Sequence, residues 1–470
     1  MKAPGVAAGD DDRGQALEQW RSQRLRRALF HPLRYPVQLV VIGFLAVIAV
    51  GTVLLWLPLS TRPGADTGLH TAFFTATSAT CVTGLTLVDT ATHWTWFGQA
   101  VVMVLMQVGG LGLMTFASLL ALVTLGQLGL HSRMLAQIEA KWLDGQTVRR
   151  FLLSILKFSL TIEALVWLVL TWRFWSGYDQ SPGRAVYLGL FHAISAFNNA
   201  GFALWDDNLA GFGRDPLVLL PIAFAFILGG IGYPVLVELR RSRRPQRWSL
   251  HTKLTVVTTL GLLVLGPLAV TLTEVRAGGT LDTVDWTTRL ISGWFSGVAP
   301  RTAGFTTIDY SQADPATLMV TDMLMAVGGG SAGTAGGIKV TTLAVLVLAV
   351  ISELRGDPDV RAFRRRVVPT TVRQALAVVV LGTVIVSAAS FVLLELTPFE
   401  FDQVLFEVVS AFGTVGLSAG ITRQLPIAGQ YLLIVLMIIG RLGPITVATA
   451  LALRSRRRLF RYAEARPIVG

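Results

Sequence analysis

Four short segments of this chain carry the groups that could do chemistry, and they align column by column. They are Ser78-Ala79-Thr80-Cys81-Val82-Thr83-Gly84-Leu85, Ser195-Ala196-Phe197-Asn198-Asn199-Ala200-Gly201-Phe202, Val298-Ala299-Pro300-Arg301-Thr302-Ala303-Gly304-Phe305 and Ser410-Ala411-Phe412-Gly413-Thr414-Val415-Gly416-Leu417. Counting back from each glycine, the fifth residue is alanine and the tenth aromatic: Phe74, Phe191, Trp294 and Phe406. No nucleophile–base pair or metal-ligand spacing lies in these segments. Their chemistry is that of the backbone. Glycine enters left-handed φ values without steric penalty, so successive carbonyls can turn toward one axis. A ring of such carbonyls replaces the water oxygens of a desolvated cation. The candidate ion-contacting residues are therefore Cys81, Val82, Thr83 and Gly84; Asn198, Asn199, Ala200 and Gly201; Arg301, Thr302, Ala303 and Gly304; and Gly413, Thr414, Val415 and Gly416.

The glycines recur at intervals of 117, 103 and 112 residues, too long for a solenoid repeat, and each interval holds the same elements. Apolar stretches long enough to cross a bilayer occur at 36–58, 96–126, 150–172, 215–238, 252–275, 317–350, 374–396 and 428–453. Between the members of each pair lies a shorter segment, at about 68–80, 185–197, 287–299 and 401–412, that ends at a glycine hairpin. Irregular backbone at membrane depth is tolerated only against protein or a water-filled cavity. The expectation is an all-α membrane protein of four helix–pore-loop–helix repeats, with eight transmembrane helices and four re-entrant half-helices around a pseudo-fourfold pore. The repeats would span 36–126, 150–241, 252–354 and 374–455, with tails at 1–35 and 456–470.

Composition agrees: of the 470 residues 53% are apolar and 14% charged, with a mean hydropathy of +0.60. The net charge of +12 would suit nucleic acid, but the basic residues fall in five patches at alternate ends of the spans. These are Arg24 to Arg34; Arg133, Lys141, Arg149 and Arg150; Arg240 to Lys253; Arg355 to Arg373; and Arg454 to Arg461. The positive-inside rule makes those ends cytoplasmic. Asp66, Asp89, Asp206, Asp207, Glu274, Asp282, Asp285, Glu395, Glu400 and Asp402 mark the opposite side, where the hairpins lie. No cleavable signal peptide is expected, and Gln15 to Leu33 fits an interfacial helix or, equally, a disordered tail. The single cysteine, Cys81, excludes an intrachain disulfide and a cysteine metal cluster. The longest stretches outside the spans, 1–35, about 127–149 and about 352–373, are too short to bury a core of their own.

Some 24 to 28 residues past the filter glycines come Gly109-Gly110-Leu111-Gly112, Gly229-Gly230-Ile231-Gly232, Gly328-Gly329-Gly330 and Gly440-Arg441-Leu442-Gly443. Arg441 stands where the other repeats have glycine. An arginine in mid-membrane is a functional candidate by default, and the glycines opposite leave room for its guanidinium. Residues 328–337 consist of small residues only, and each glycine costs about 1 kcal/mol of helix propensity. A loop inside the membrane is expected there, with Gly328, Gly329, Gly330, Ser331, Gly333, Thr334, Gly336, Gly337, Lys339 and Arg441 as candidate gate residues. Close helix packing by small residues competes with this reading. A phosphate loop does not fit, because no glycine directly precedes Lys339 and no Ser/Thr directly follows it.

Thr414-Val415-Gly416 resembles the threonine-valine-glycine of potassium-channel filters. The whole chain from about 36 to 455 resembles the Ktr/Trk/HKT superfamily of potassium transporters, most closely the bacterial Ktr-type membrane subunit. The resemblance rests on the four hairpins, Phe412 to Gly420, Gly328 to Lys339 and Gly440-Arg441-Leu442-Gly443-Pro444. It implies one pore per subunit with Arg441 beneath the filter, potassium as the transported ion, and homodimers in the bacterial inner membrane. It also implies regulation by a cytosolic nucleotide-binding (RCK-type, KtrA/TrkA-like) ring, with sodium left open as a further regulator. Gly84 in the first filter resembles potassium-selective rather than sodium-selective members.

Among the remaining polar residues, His192 and Glu407 sit nine before their glycines and are expected to brace the half-helices. Asn198 and Asn199 either contact an ion or hold neighbouring hairpins together. Arg301 is expected to snorkel outward or tether an acidic residue, and Lys339 to approach Arg441 or the cytosolic mouth. The basic patches fit anionic lipid as well as a soluble partner. An alternating-access cation symporter is the rival reading, weakened because all four repeats share one orientation. A membrane enzyme finds no catalytic constellation.

Overall fold

The computed structural model describes residues 36–65, 68–126, 145–276, 279–282 and 284–443. The two tails, the Gln15 to Leu33 segment, the arginines of the first and last patches, Arg133, Lys141, Asp66 and Pro444 lie outside the described residues. One unit runs from Phe44 to Ile445. The second pairs Met1–Gly43 with Thr446–Gly470, and its described part is the opening turns of one helix.

Fourteen helices of eight residues or more order the described chain. The first repeat holds α1 (Pro36–Trp56), α2 (Leu69–Cys81) and α3 (Trp96–Gly126). The second holds α4 (Gly145–Gly177), α5 (Pro182–Phe197), α6 (Pro216–Ile231) and α7 (Tyr233–Arg241). The third holds α8 (Leu250–Glu274), α9 (Trp286–Val298), α10 (Pro315–Ala326) and α11 (Val340–Leu354). The fourth holds α12 (Pro369–Leu396), α13 (Phe401–Gly413) and α14 (Ile427–Leu442). A two-residue hairpin, β1 (Arg361–Ala362) with β2 (Arg365–Arg366), precedes α12.

Helices α2, α9 and α13 have 13 residues each and α5 has 16. At 1.5 Å per residue they reach about 20–24 Å, short of a hydrocarbon core of about 30 Å. Phe74, Phe191 and Phe406 are completely buried, and α9 buries Phe295 beside the half-buried Trp294, so each short helix forms part of the core rather than the surface. Asp215, Asp285 and Asp314 cap α6, α9 and α10 by accepting a first-turn N–H, which holds those starts at fixed points.

Among the described residues three helices are long and apolar enough to cross a membrane: Leu152–Gly177, Leu250–Glu274 and Pro369–Leu396. Many of their leucines and valines face outward, with Leu168 62% and Val264 65% exposed, while Leu170, Val270 and Leu393 are buried. A polar solvent does not accept such a surface; a bilayer does. Two of the spans read from the sequence are interrupted. The fourth bends by 96° between α6 and α7, at Gly232 with φ +100°. The sixth is helix only at its ends, with 327–339 unwound between α10 and α11.

Candidate functional site

The four glycines meet. A Cβ placed on Gly84 would lie 2.5 Å from the carbonyl oxygen of Ala200, one on Gly201 would lie 2.7 Å from the Cα of Gly304, one on Gly304 would strike the Val415 carbonyl, and one on Gly416 would strike the Thr83 carbonyl. The contacts run 84 to 201, 304, 416 and back to 84, a closed ring in chain order.

Local conformation in each hairpin follows one rule. The glycine has positive φ (Gly84 +95°, Gly201 +69°, Gly304 +70°, Gly416 +97°), and so does the residue two before it (Val82 +56°, Asn199 +59°, Thr302 +74°, Thr414 +51°). In three copies the N–H just before the glycine donates to a serine carbonyl six residues before it: Thr83 to Ser78 at 2.8 Å, Ala200 to Ser195 at 2.8 Å and Val415 to Ser410 at 2.9 Å. The third copy has Val298 in place of serine and closes one residue shorter, Ala303 to Ala299 at 2.9 Å. Serine hydroxyls add to this in two ways: Ser78 and Ser410 each accept from the glycine N–H at 3.1 Å, whereas Ser195 donates to the Phe202 carbonyl at 2.8 Å.

Side chains behind the ring brace it. His192 Nε2 accepts the N–H of Leu204 at 3.2 Å, and a carboxylate oxygen of Glu407 accepts that of Ala419 at 3.1 Å. The two acceptors stand nine residues before their glycines and the two donors three after. Glu407 also accepts from Ser418 and, at 2.8 Å, from Thr422. Asn199 donates to Thr302 Oγ1 at 3.3 Å and so joins the second hairpin to the third. The amide of Asn198 points away from the ring, donating to Gln107 at 2.8 Å and to Glu163 at 3.3 Å, while Gln107 donates to both oxygens of Glu163. Sequence reading passed over Glu163 and Gln107, although an acid inside an apolar span is itself a signal. Arg301 neither snorkels nor pairs with an acid. It is buried, and its Nη1 donates to the Thr259 carbonyl at 3.2 Å, because the hairpin lies against α8 and no carboxylate among the described residues pairs with it.

On one side the ring opens into a 430 Å³ cavity lined by Gly84, Gly304, Gly416, Asp206, Asp207 and Asp309, among others. A hydrogen bond with the neighbouring Asp89, and its charge, raise the Asp206 carboxyl above the usual carboxylate range. Asp89 goes the other way: partial burial acts to raise it, but hydrogen bonds from Asp206, Thr92 and the Ala91 backbone outweigh that.

On the other side lies the glycine-rich loop. Gly330 N–H donates to the Gly230 carbonyl at 2.7 Å, Thr334 N–H to Gly229 at 3.0 Å, and Tyr233 N–H to Ala332 at 3.4 Å. The Thr334 hydroxyl donates to Asn199 Oδ1 at 3.1 Å and to the Phe197 carbonyl at 3.2 Å. Lys339 folds back on its own loop, donating to the carbonyls of Ala335 at 2.6 Å and Gly336 at 3.2 Å. Arg441 is buried and spans two carbonyls, that of Thr334 in the loop and that of Gly109 on α3 at 2.9 Å. The glycine stripes have a packing role. A Cβ on Gly109, Gly229 or Gly440 would collide with the carbonyl of Thr80, Phe197 or Phe412, each four residues before its ring glycine. In these three repeats the stripe lets the second helix touch the end of its half-helix, whereas Gly328, Gly329 and Gly330 of the third approach Gly336, Gly230 and Ile231.

The sequence matches the family described as TrkH, cation transport protein, over residues 21–461. It is 42% identical to the Ktr system potassium uptake protein B of Bacillus subtilis over 435 residues, 93% of this chain and 97% of that protein. It is 36% identical to the potassium/sodium uptake protein NtpJ of Enterococcus hirae, over 90% of this chain and 94% of that one. The structure resembles the crystal structure of the potassium transporter TrkH from Vibrio parahaemolyticus, with a TM-score of 0.68 and 17% identity over 87% of this chain and 85% of that one.

Proposed function

This chain belongs to the TrkH family of cation transport proteins, and from that premise we propose that it takes up potassium through a channel-like pore whose filter is the ring of four glycine hairpins. It is a multi-pass membrane transporter and not an enzyme. The closed ring carries the proposal. Left-handed residues at two alternate positions of every hairpin turn successive carbonyls to one side, which a desolvated potassium ion requires. The buried hydroxyls of Thr80, Thr83 and Thr414 have no partner among the described residues, as suits groups that face ions or water. The acidic outer cavity would concentrate cations at the entrance.

In this reading the four repeats supply eight membrane crossings and four re-entrant half-helices, with the hairpins outside and both termini in the cytoplasm of a bacterial inner membrane. The loop 328–337, tied by Thr334 and Arg441, is the gate. As in the Ktr-type resemblance, two copies pair, and a cytosolic nucleotide-binding subunit supplies the free-energy difference between gate states that no loop generates alone.

The test is tracer flux into vesicles containing the purified chain, with potassium and sodium measured separately. Potassium flux should exceed sodium flux and become nucleotide-sensitive only when a soluble nucleotide-binding subunit is added. Sodium-preferring flux would overturn the filter, and ATP binding to the isolated chain by calorimetry would overturn the division of labour.

A further inference from the structure

Away from the ring, a 530 Å³ groove lies between the starts of α8, α11 and α12. Its wall is apolar, with Leu250, Leu254, Val345, Ala375 and Val378. From Thr371 to Val378 it follows α12 for about 10 Å at helical rise. One end is different. There Arg366 lines the rim, 62% exposed with its Nε on Asp359 at 2.8 Å. Arg361, Arg364, Arg365 and Arg373 are exposed around it, against the acids Asp357 and Asp359. The same rim is the N-terminus of α12, which has no side-chain cap and no acidic residue in its first turn. Pro369 has no N–H and Thr371 N–H donates to the Val368 carbonyl at 2.9 Å, so it is chiefly the positive helix end that attracts phosphate. No carboxylate lines the groove among the described residues.

The hairpin over the rim is shaped for an interface. Its two-residue turn, Phe363-Arg364, has φ +48° and +64°, values that side chains other than glycine or asparagine adopt under strain. The turn presents Phe363, 46% exposed, beside the arginines, and Lys253 Nζ lies 5.7 Å from its ring. An aromatic ring among basic residues is suited to headgroup depth.

We propose that this groove binds one anionic glycerophospholipid, an acyl chain along α12 and the phosphate at Arg366, Arg373 and the α12 N-terminus. The occupant would touch the gate. Thr341 and Thr342 line the groove, Thr342 N–H donates to Lys339 at 2.8 Å, and Thr341 Oγ1 lies 3.4 Å from Ser331 Oγ in the loop. The effect on gating rests on the uptake reading above; the binding does not.

Full-length protein in detergent, titrated with dioleoyl phosphatidylglycerol or phosphatidylcholine and read by native mass spectrometry, tests the site. The phosphatidylglycerol adduct should dominate, weaken about fivefold for each of Arg366→Gln and Arg373→Gln, disappear in Ala375→Trp, and persist in Arg366→Lys, which keeps the charge. Equal adducts of both lipids, or adducts unchanged in the glutamine variants, overturn the proposal. So does loss of a nucleotide-binding subunit's docking in those variants with lipid binding intact, which would assign the arginines to protein. In phosphatidylcholine vesicles, adding a quarter phosphatidylglycerol should change potassium flux of the wild type and not of the double glutamine variant. If no variant conducts in any lipid, the uptake reading fails while the adducts still decide the site.

Discussion

Gly84→Ser protein in vesicles should show a potassium-to-sodium flux ratio about tenfold lower than the wild type. Serine at φ +95° carries about 1–2 kcal/mol of left-handed strain, and its Cβ would sit 2.5 Å from the Ala200 carbonyl. The hairpin relieves both by rotating carbonyls out of the ring. Each 1.4 kcal/mol of site energy lost for potassium and not for sodium is about tenfold. Gly304→Ser should behave alike, since its Cβ would press on the Val415 carbonyl and lie 2.9 Å from the Cα of Gly201. An unaltered ratio in both variants, with correctly assembled protein, would leave no role for the backbone carbonyls.

Arg441→Ala should raise potassium flux by about tenfold or more. A unit charge about 4 Å from a passing cation opposes it by about 4 kcal/mol at an effective dielectric of 20, and one-third of that is already about tenfold in rate. The same substitution unties Thr334 from Gly109. Arg441→Lys separates the two effects, keeping the charge but losing the planar fork that spans two carbonyls. If charge sets the barrier, lysine conducts like the wild type; if the tether does, lysine conducts like alanine. Folded alanine protein with unchanged flux would put the arginine off the pathway.

The hairpins could be read from the sequence because their demands are local: a glycine where φ must be positive, and an alanine and an aromatic at fixed offsets on one short helix. The loop was legible for the same reason, since Gly328-Gly329-Gly330 cannot hold a helix. The break in the fourth span is equally local, but its glycine motif alone does not reveal it. Gly229-Gly230-Ile231-Gly232 looks like Gly109-Gly110-Leu111-Gly112, yet α3 runs on past Gly112 while α6 ends. The difference is Pro234, which disfavours helix at Tyr233 and suits a new helix start. What no local pattern supplies is partnership across long separations. Glu163 meets Asn198 from 35 residues away and Gln107 from 56. Arg301 reaches the Thr259 carbonyl and not an acid, because the choice was made by how α8 packs.

The same proline fixes what the loop does for the helix it touches. In an unbroken helix the carbonyl of Gly230 would accept from residue 234, but Pro234 has no N–H, and the 96° bend takes Tyr233 N–H away from Gly229. The loop's Gly330 and Thr334 fill both vacancies, and Ala332 receives the freed Tyr233 N–H. Loop and broken helix thus complete one another's backbone bonding like the strands of a clasp. A buried peptide group left bare costs about 1–3 kcal/mol, whereas one handed to water costs far less. If the loop is the gate proposed above, the clasp opens only as fast as water arrives, so that displacement of the loop and wetting of the pore are expected to be a single event. An open form found dry at Gly229 and Gly230 would contradict this.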